Sequence, residues 1–152
     1  MIKIRFVVIL GIVFLFFSSS LLNAYTKEDR ERIQDYINKG KNLYQKHDQL
    51  GAIEKWTKAL EYDPWNTEAN NLIEKALMDI QDLTQRLNEG FDLIEKEKID
   101  DAYNAFRYVK DNSSPRNNSI YDPLIKGFRK IEDLSNKARY YRILKKGDEY
   151  FN

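Results

Sequence analysis

The chain has 152 residues, a formal net charge of +1, 42% hydrophobic and 32% charged residues, and no cysteine. That balance fits a globular chain of single-domain size and excludes the disordered and collagen-like classes. The absence of cysteine removes disulfides, thiolate metal sites and anchoring through a lipid-modified N-terminal cysteine.

In chain order, residues 1–24 stand apart. Lys3 and Arg5 precede an apolar run from Phe6 to Phe17, and a serine-rich stretch leads to the small Ala24. This is the pattern of a secretory signal peptide, cleaved after Ala24 or after Ser20. The alternative is an uncleaved inner-membrane anchor at residues 6–22, although spanning usually takes about 20 apolar residues. Export without disulfides fits a periplasm. Loss of Lys3 and Arg5 would leave 23 basic against 24 acidic residues, a near-neutral chain unsuited to nonspecific nucleic-acid binding.

The remainder, residues 25–152, reads as all-α. Thr26 and Asp29 form a capping-box pattern that opens a helix over 27–47. A second helix over 50–62 ends at Asp63-Pro64, because the residue before proline avoids the α region. Asn66 opens a third helix over 67–96, whose apolar residues recur at threes and fours from Ala69 through Ile94. At 1.5 Å per residue this helix would extend roughly 45 Å. A fourth helix covers 99–110. The polar stretch 111–121 reads as one extended loop, and Asp122-Pro123 as the start of a fifth helix over 122–148.

Shifting the chain by 50 residues aligns Gly40 with Gly90, Leu43 with Leu93, Ala52 with Ala102 and Trp56 with Phe106. A third, partial copy aligns Ile80 to Arg86 with Ile131 to Lys137. The repeats cover about 33–66, 83–116 and, partially, 131–152. The second departs from the first at Arg86, Val109 and Pro115, so its second helix is expected to be looser.

Within residues 33–66, Tyr36, Gly40, Ala52, Trp56, Ala59 and Pro64 have the spacing of a tetratricopeptide repeat (TPR), and the window resembles that family. The resemblance implies a solenoid of αα-hairpins, here two hairpins plus a long C-terminal helix, with a period near 50 rather than 34. It also implies a protein that binds proteins through a groove lined by first helices. Lys41 and Tyr44 of the first repeat and Leu87, Phe91 and Ile94 of the second fall at groove-facing positions. These side chains would suit an apolar or amphipathic segment. Equally, Leu87, Phe91 and Ile94 can be core beneath the last helix, and in so short an array that reading is favoured.

The C-terminal end offers a second surface. Tyr140, Tyr141, Tyr150 and Phe151 make it rich in aromatics where terminal repeats usually carry a polar cap, so self-association through the last helix is open. The basic residues Arg139, Arg142, Lys145 and Lys146 near its end are read first as compensation of the helix dipole.

No chemistry is legible. His47, the single histidine, falls in an expected turn without ligand-spaced neighbours, and no phosphate loop, nucleophile elbow or metal motif is present. Neither a cofactor nor an enzymatic activity is expected. The expected function is that of an adaptor or scaffold in a cell-envelope assembly such as outer-membrane biogenesis, transport or motility. The alternative is a small-ligand carrier or accessory subunit of a solute transporter.

Overall fold

A computed structural model describes residues 26–151, with side chains from 26 to 139. The signal-peptide or anchor segment therefore lies outside the described residues. All regular structure described is helical: α1 (Lys27–Tyr44), α2 (Gln49–Tyr62), α3 (Thr67–Glu95), α4 (Ile99–Asp111) and α5 (Asn118–Phe151). The chain divides into two compact units, Met1–Arg32 and Ile33–Asn152.

In the first unit, the described residues form the opening of α1. The capping box is closed in both directions: Thr26 N–H donates to Asp29 Oδ2 (3.1 Å), and Asp29 N–H donates to Thr26 Oγ1 (3.0 Å). The Thr26 hydroxyl and backbone bonds hold the Asp29 carboxyl below its usual value. Lys27–Glu31 and Arg32–Glu28 are exposed pairs at i, i+4, each worth a few tenths of a kcal/mol.

The second unit is built on two hydrophobic clusters. Ile33, Ile37, Ala52, Trp56, Ala59, Ala69 and Ala76 form the first. Leu83, Leu87, Ile94, Ala102, Phe106, Val109, Ile120, Leu124 and Ile131 form the second. The long helix α3 contributes its first half to one and its second half to the other. In each, glycine faces an aromatic ring. A Cβ on Gly40 would collide with the Trp56 indole, and one on Gly90 with the Phe106 ring. Trp56 is fully buried, and its Nε1–H donates to the Ile37 carbonyl (3.1 Å).

The 50-residue shift is visible in the backbone. His47 and Glu97 both have φ 58°. Asp48 N–H donates to Leu43 O (3.0 Å) and Lys98 N–H to Leu93 O (2.9 Å), the wide C-terminal bond of a helix closed by a left-handed residue. One cap is not repeated: Asp48 accepts from Gly51 N–H, while Lys98, at nearly the same φ and ψ, makes no side-chain cap bond. Val109 is fully buried and α4 runs to Asp111, so the second hairpin is closed rather than loose.

The start of α5 corrects the expectation drawn from Asp122-Pro123. The helix begins at Asn118 and contains Pro123. Asn117 acts as the cap, its carbonyl accepting from Ile120 and Tyr121 N–H (3.0 and 2.8 Å). Burial explains the early start: Ile120 and Leu124, four apart on one helical face, are 1% and 0% exposed within the second cluster. Pro123 leaves the Ser119 carbonyl without its i+4 donor, and Ser119 is exposed to solvent. The link between α4 and α5 is accordingly short, residues 112–117.

Candidate functional site

The residues that join the two hairpins form a connected polar arrangement in the second unit. Asp48, 7% exposed, caps α2 and also receives Arg116 Nη1–H (3.1 Å) from the α4–α5 link. Arg116 also pairs with Glu54 (3.5 Å). Gln49 Nε2–H donates to the Asn112 carbonyl (2.9 Å) at the end of α4. The link is thus fastened to the turn between α1 and α2.

Beside this fastening lies a cleft of about 340 Å³, lined by Tyr44, Gln45, His47 and Gln49, by Asp79, Asp82 and Leu83 of α3, and by Tyr108 and Asn112 of α4. The Tyr44 hydroxyl donates to Asp79 Oδ2, the ring packs on Trp56 (5.8 Å between centroids), and Lys75 Nζ stands 5.2 Å over it. Burial first, then the bond to Asp79 and its negative charge, push the phenol up to about 12. Opposite, the Arg86 guanidinium lies 4.2 Å from the Tyr108 centroid while Arg86 Nε–H donates to Asp82 (3.0 Å). The cleft therefore holds two aromatic rings and two carboxylates, each already engaged within the chain: Lys75 on the Tyr44 ring, the Tyr44 hydroxyl on Asp79, and Arg86 on both the Tyr108 ring and Asp82.

A second cleft, of about 420 Å³, is lined by Ile94, Glu95, Glu97, Ile99, Lys130 and Leu134. It is the repeat image of the first. Ile94, Glu95, Glu97 and Ile99 stand 50 positions after Tyr44, Gln45, His47 and Gln49, and Lys130 and Leu134 stand 51 after Asp79 and Leu83. The first cleft is walled by the end of α4; no described helix end takes that place at the second.

Of the residues expected to line a groove, Tyr44 is in the first cleft. Lys41 stands on the adjacent surface of α1, paired with Glu68 (2.7 Å) and about half exposed. As open groove residues Leu87 and Ile94 are corrected: at 3% and 5% exposed, both belong to the second cluster, and Ile94 only edges the second cleft. Phe91 is half-buried, edge-on to Phe106 at 5.2 Å. Of the two readings of these three residues the favoured one holds: they lie in or against the second core rather than along an open groove, because α4 and α5 pack over this half of α3. Tyr140, Tyr141, Tyr150 and Phe151 lie outside the described side chains.

Sequence reasoning missed Asp79 and Asp82, which α3 sets beside Tyr44, and Tyr108, which reaches the cleft only because α4 folds back along α3. It also missed Trp65, 87% exposed in the α2–α3 turn. Among the described residues, no group of three or more His, Cys, Asp or Glu side chains is placed to hold a metal ion. No described helix is long and apolar enough to cross a membrane. No protein-family model, curated protein or solved structure matches the chain.

Proposed function

We propose that this chain is a non-enzymatic adaptor of TPR-like helical hairpins, exported through residues 1–24 to the periplasm and acting as a scaffold in a cell-envelope assembly. One observation carries the reading: the repeated hairpin, with Gly40 against Trp56 and Gly90 against Phe106, whose two helices are joined in each copy by a turn with φ 58° at the same position. Such stacking leaves concave joints between hairpins, where repeat proteins take partner segments. The joint offered here is the cleft of Tyr44, Asp79, Asp82 and Tyr108, flanked by Lys41. A partner segment that presents a lysine or arginine would take these rings and carboxylates by displacing Lys75 or Arg86 from them.

The test is site-specific photo-crosslinking in the native cell, with the crosslinker at Tyr44 or Tyr108 and, as a control, at Glu61 on the outer face of α2. The adaptor reading expects one protein adduct from the first two positions and none from the third. Equal adducts from all three, or none, would sink it. Export is tested by sequencing the mature N-terminus: Tyr25 is the expected first residue, whereas Met1 would support the anchor at residues 6–22.

The size of the first cleft favours one second reading, a carrier of a small cationic ligand, since 340 Å³ falls in the range of small-molecule sites. Native mass spectrometry separates the two. A retained small molecule lost on Asp79→Asn supports the carrier, and a stoichiometric protein supports the adaptor.

A further inference from the structure

The hydrogen bonds already made around the first cleft leave it with acceptors to fill. A carbonyl can only accept, so the bonds of Gln49 Nε2–H to Asn112 O (2.9 Å) and of Asn112 Nδ2–H to Tyr108 O (2.9 Å) fix how both amides are turned. Each keeps its side-chain oxygen as an acceptor, and both residues line the cleft. On the α3 wall, Asp79 takes the Tyr44 hydroxyl on Oδ2, and Asp82 takes Arg86 Nε–H on Oδ2. Each carboxylate has a second oxygen that no donor among the described residues reaches. Gln49 is 5% exposed, so a donor brought to its oxygen would be shielded from competing water.

These oxygens, on two walls, decide the class of ligand. An ammonium carries three donors at one point, whereas a guanidinium carries five, spread in one plane. Only the guanidinium can serve both walls at once. The chain shows the chemistry itself: Arg86 lies 4.2 Å from the Tyr108 centroid and bonds Asp82, yet it is not among the residues that line the cleft. A guanidinium entering the cleft can replace Arg86 on the ring and gains the amide oxygens that Arg86 does not use. The Arg86 side chain is 43% exposed, so its release to water costs little. With Lys75 and Arg86 beside the two carboxylates, local charge is balanced. Hydrogen-bond fit rather than net attraction must then discriminate.

We propose that the first cleft is an arginine site, in which the guanidinium of a partner segment bridges Asp79 and Asp82 on one wall and Gln49 and Asn112 on the other. This rests on the adaptor reading and narrows its partner from any cationic segment to one that presents arginine. Such recognition separates arginine from lysine although the two carry the same charge.

The test titrates the purified full chain with Nα-acetyl-arginine methylamide and with its lysine counterpart, followed by amide NMR spectra. The arginine probe is expected to bind at least about tenfold more tightly, and to move the side-chain amide signals of Gln49 and Asn112. Asp82→Asn should weaken it about tenfold, the effect of one charged hydrogen bond. Arg86→Ala should tighten it by about threefold or more, because an internal competitor is gone. A residue that only supported the fold would weaken binding when removed, so this variant separates the two roles. Equal affinity for both probes, unmoved amide signals, or weaker binding in Arg86→Ala would each overturn the proposal. Free L-arginine identifies the source of the ligand. Tighter binding of free than of capped arginine would assign the site to a free guanidino solute and overturn the partner-segment assignment. Should neither probe bind while the crosslinker at Tyr44 still captures one protein, the arginine site falls and the adaptor stands.

Discussion

His47 and Glu97 hold one backbone conformation, φ 58°, at the same point of two successive hairpins. Neither is glycine, and both are exposed. The left-handed region brings Cβ toward the carbonyl, a strain of roughly 1–2 kcal/mol for an L-residue. His47→Gly and Glu97→Gly are each expected to stabilise by about 0.5–1 kcal/mol, part of the relief being offset by glycine's greater unfolded entropy. Urea denaturation checks this. A loss of stability in either variant would show that the side chain contributes more than its backbone strain removes.

The missing cap at Lys98 gives a second prediction. Asp48 and Lys98 have nearly the same φ and ψ, but only Asp48 accepts a bond from the first turn of the helix that follows. Lys98→Asn supplies that acceptor without adding charge beside Asp100 and Asp101. Stability should rise by about 1 kcal/mol, seen as an upward shift in melting temperature. In the reverse direction, Asp48→Ala should lose a similar amount or more, because Asp48 also holds Arg116.

Close packing at Phe106 gives a third. Its ring is confined from two sides, since added Cβ atoms on Gly90 of α3 and Gly127 of α5 would each collide with it. Alanine usually favours a helix over glycine by about 1 kcal/mol. Here Gly90→Ala is expected to destabilise instead, by roughly 1–3 kcal/mol, because the ring has nowhere to move. Adding Phe106→Leu to Gly90→Ala should recover part of the loss. A double variant no better than the sum of its single variants would refute this account.

Tyr44 predicts a pH dependence. Its folded pKa of about 12 lies above the ordinary phenol value of 10.0, so the folded state keeps its proton longer than the unfolded one. That contribution is fully present below pH 10 and is lost as pH rises toward 12. Unfolding midpoints measured between pH 9 and pH 12 should fall in the native chain, and fall less steeply in Tyr44→Phe. Equal slopes would mean that the phenol titrates alike in both states.

The helices were legible because their apolar residues repeat at threes and fours and their ends carry ordinary signals. The α5 start was misread because Asp-Pro is a strong local signal, and burial of Ile120 overrode it. A signal for the correct start did exist. Extending the 51-residue alignment backward places Asn66 on Asn117 and Pro64 on Pro115, and both asparagines cap helices. The groove was harder. Periodicity shows that Leu87 and Ile94 share a face of α3, but not which neighbour covers that face. The cleft residues Asp79 and Tyr108 are far apart in sequence and meet only through the fold of α4, which no local pattern encodes.

The unbroken α3 has a mechanical consequence. In many repeat arrays, neighbouring modules are joined by a turn, and each can loosen while the next holds. Here a single 29-residue rod belongs to both modules, its Ala69 and Ala76 in one core and its Leu83 and Leu87 in the other. Fraying on one side must stop inside the rod or pass through it. The joint therefore behaves as a stiff axle rather than a hinge, transmitting torsion from the Trp56 core to the Phe106 core.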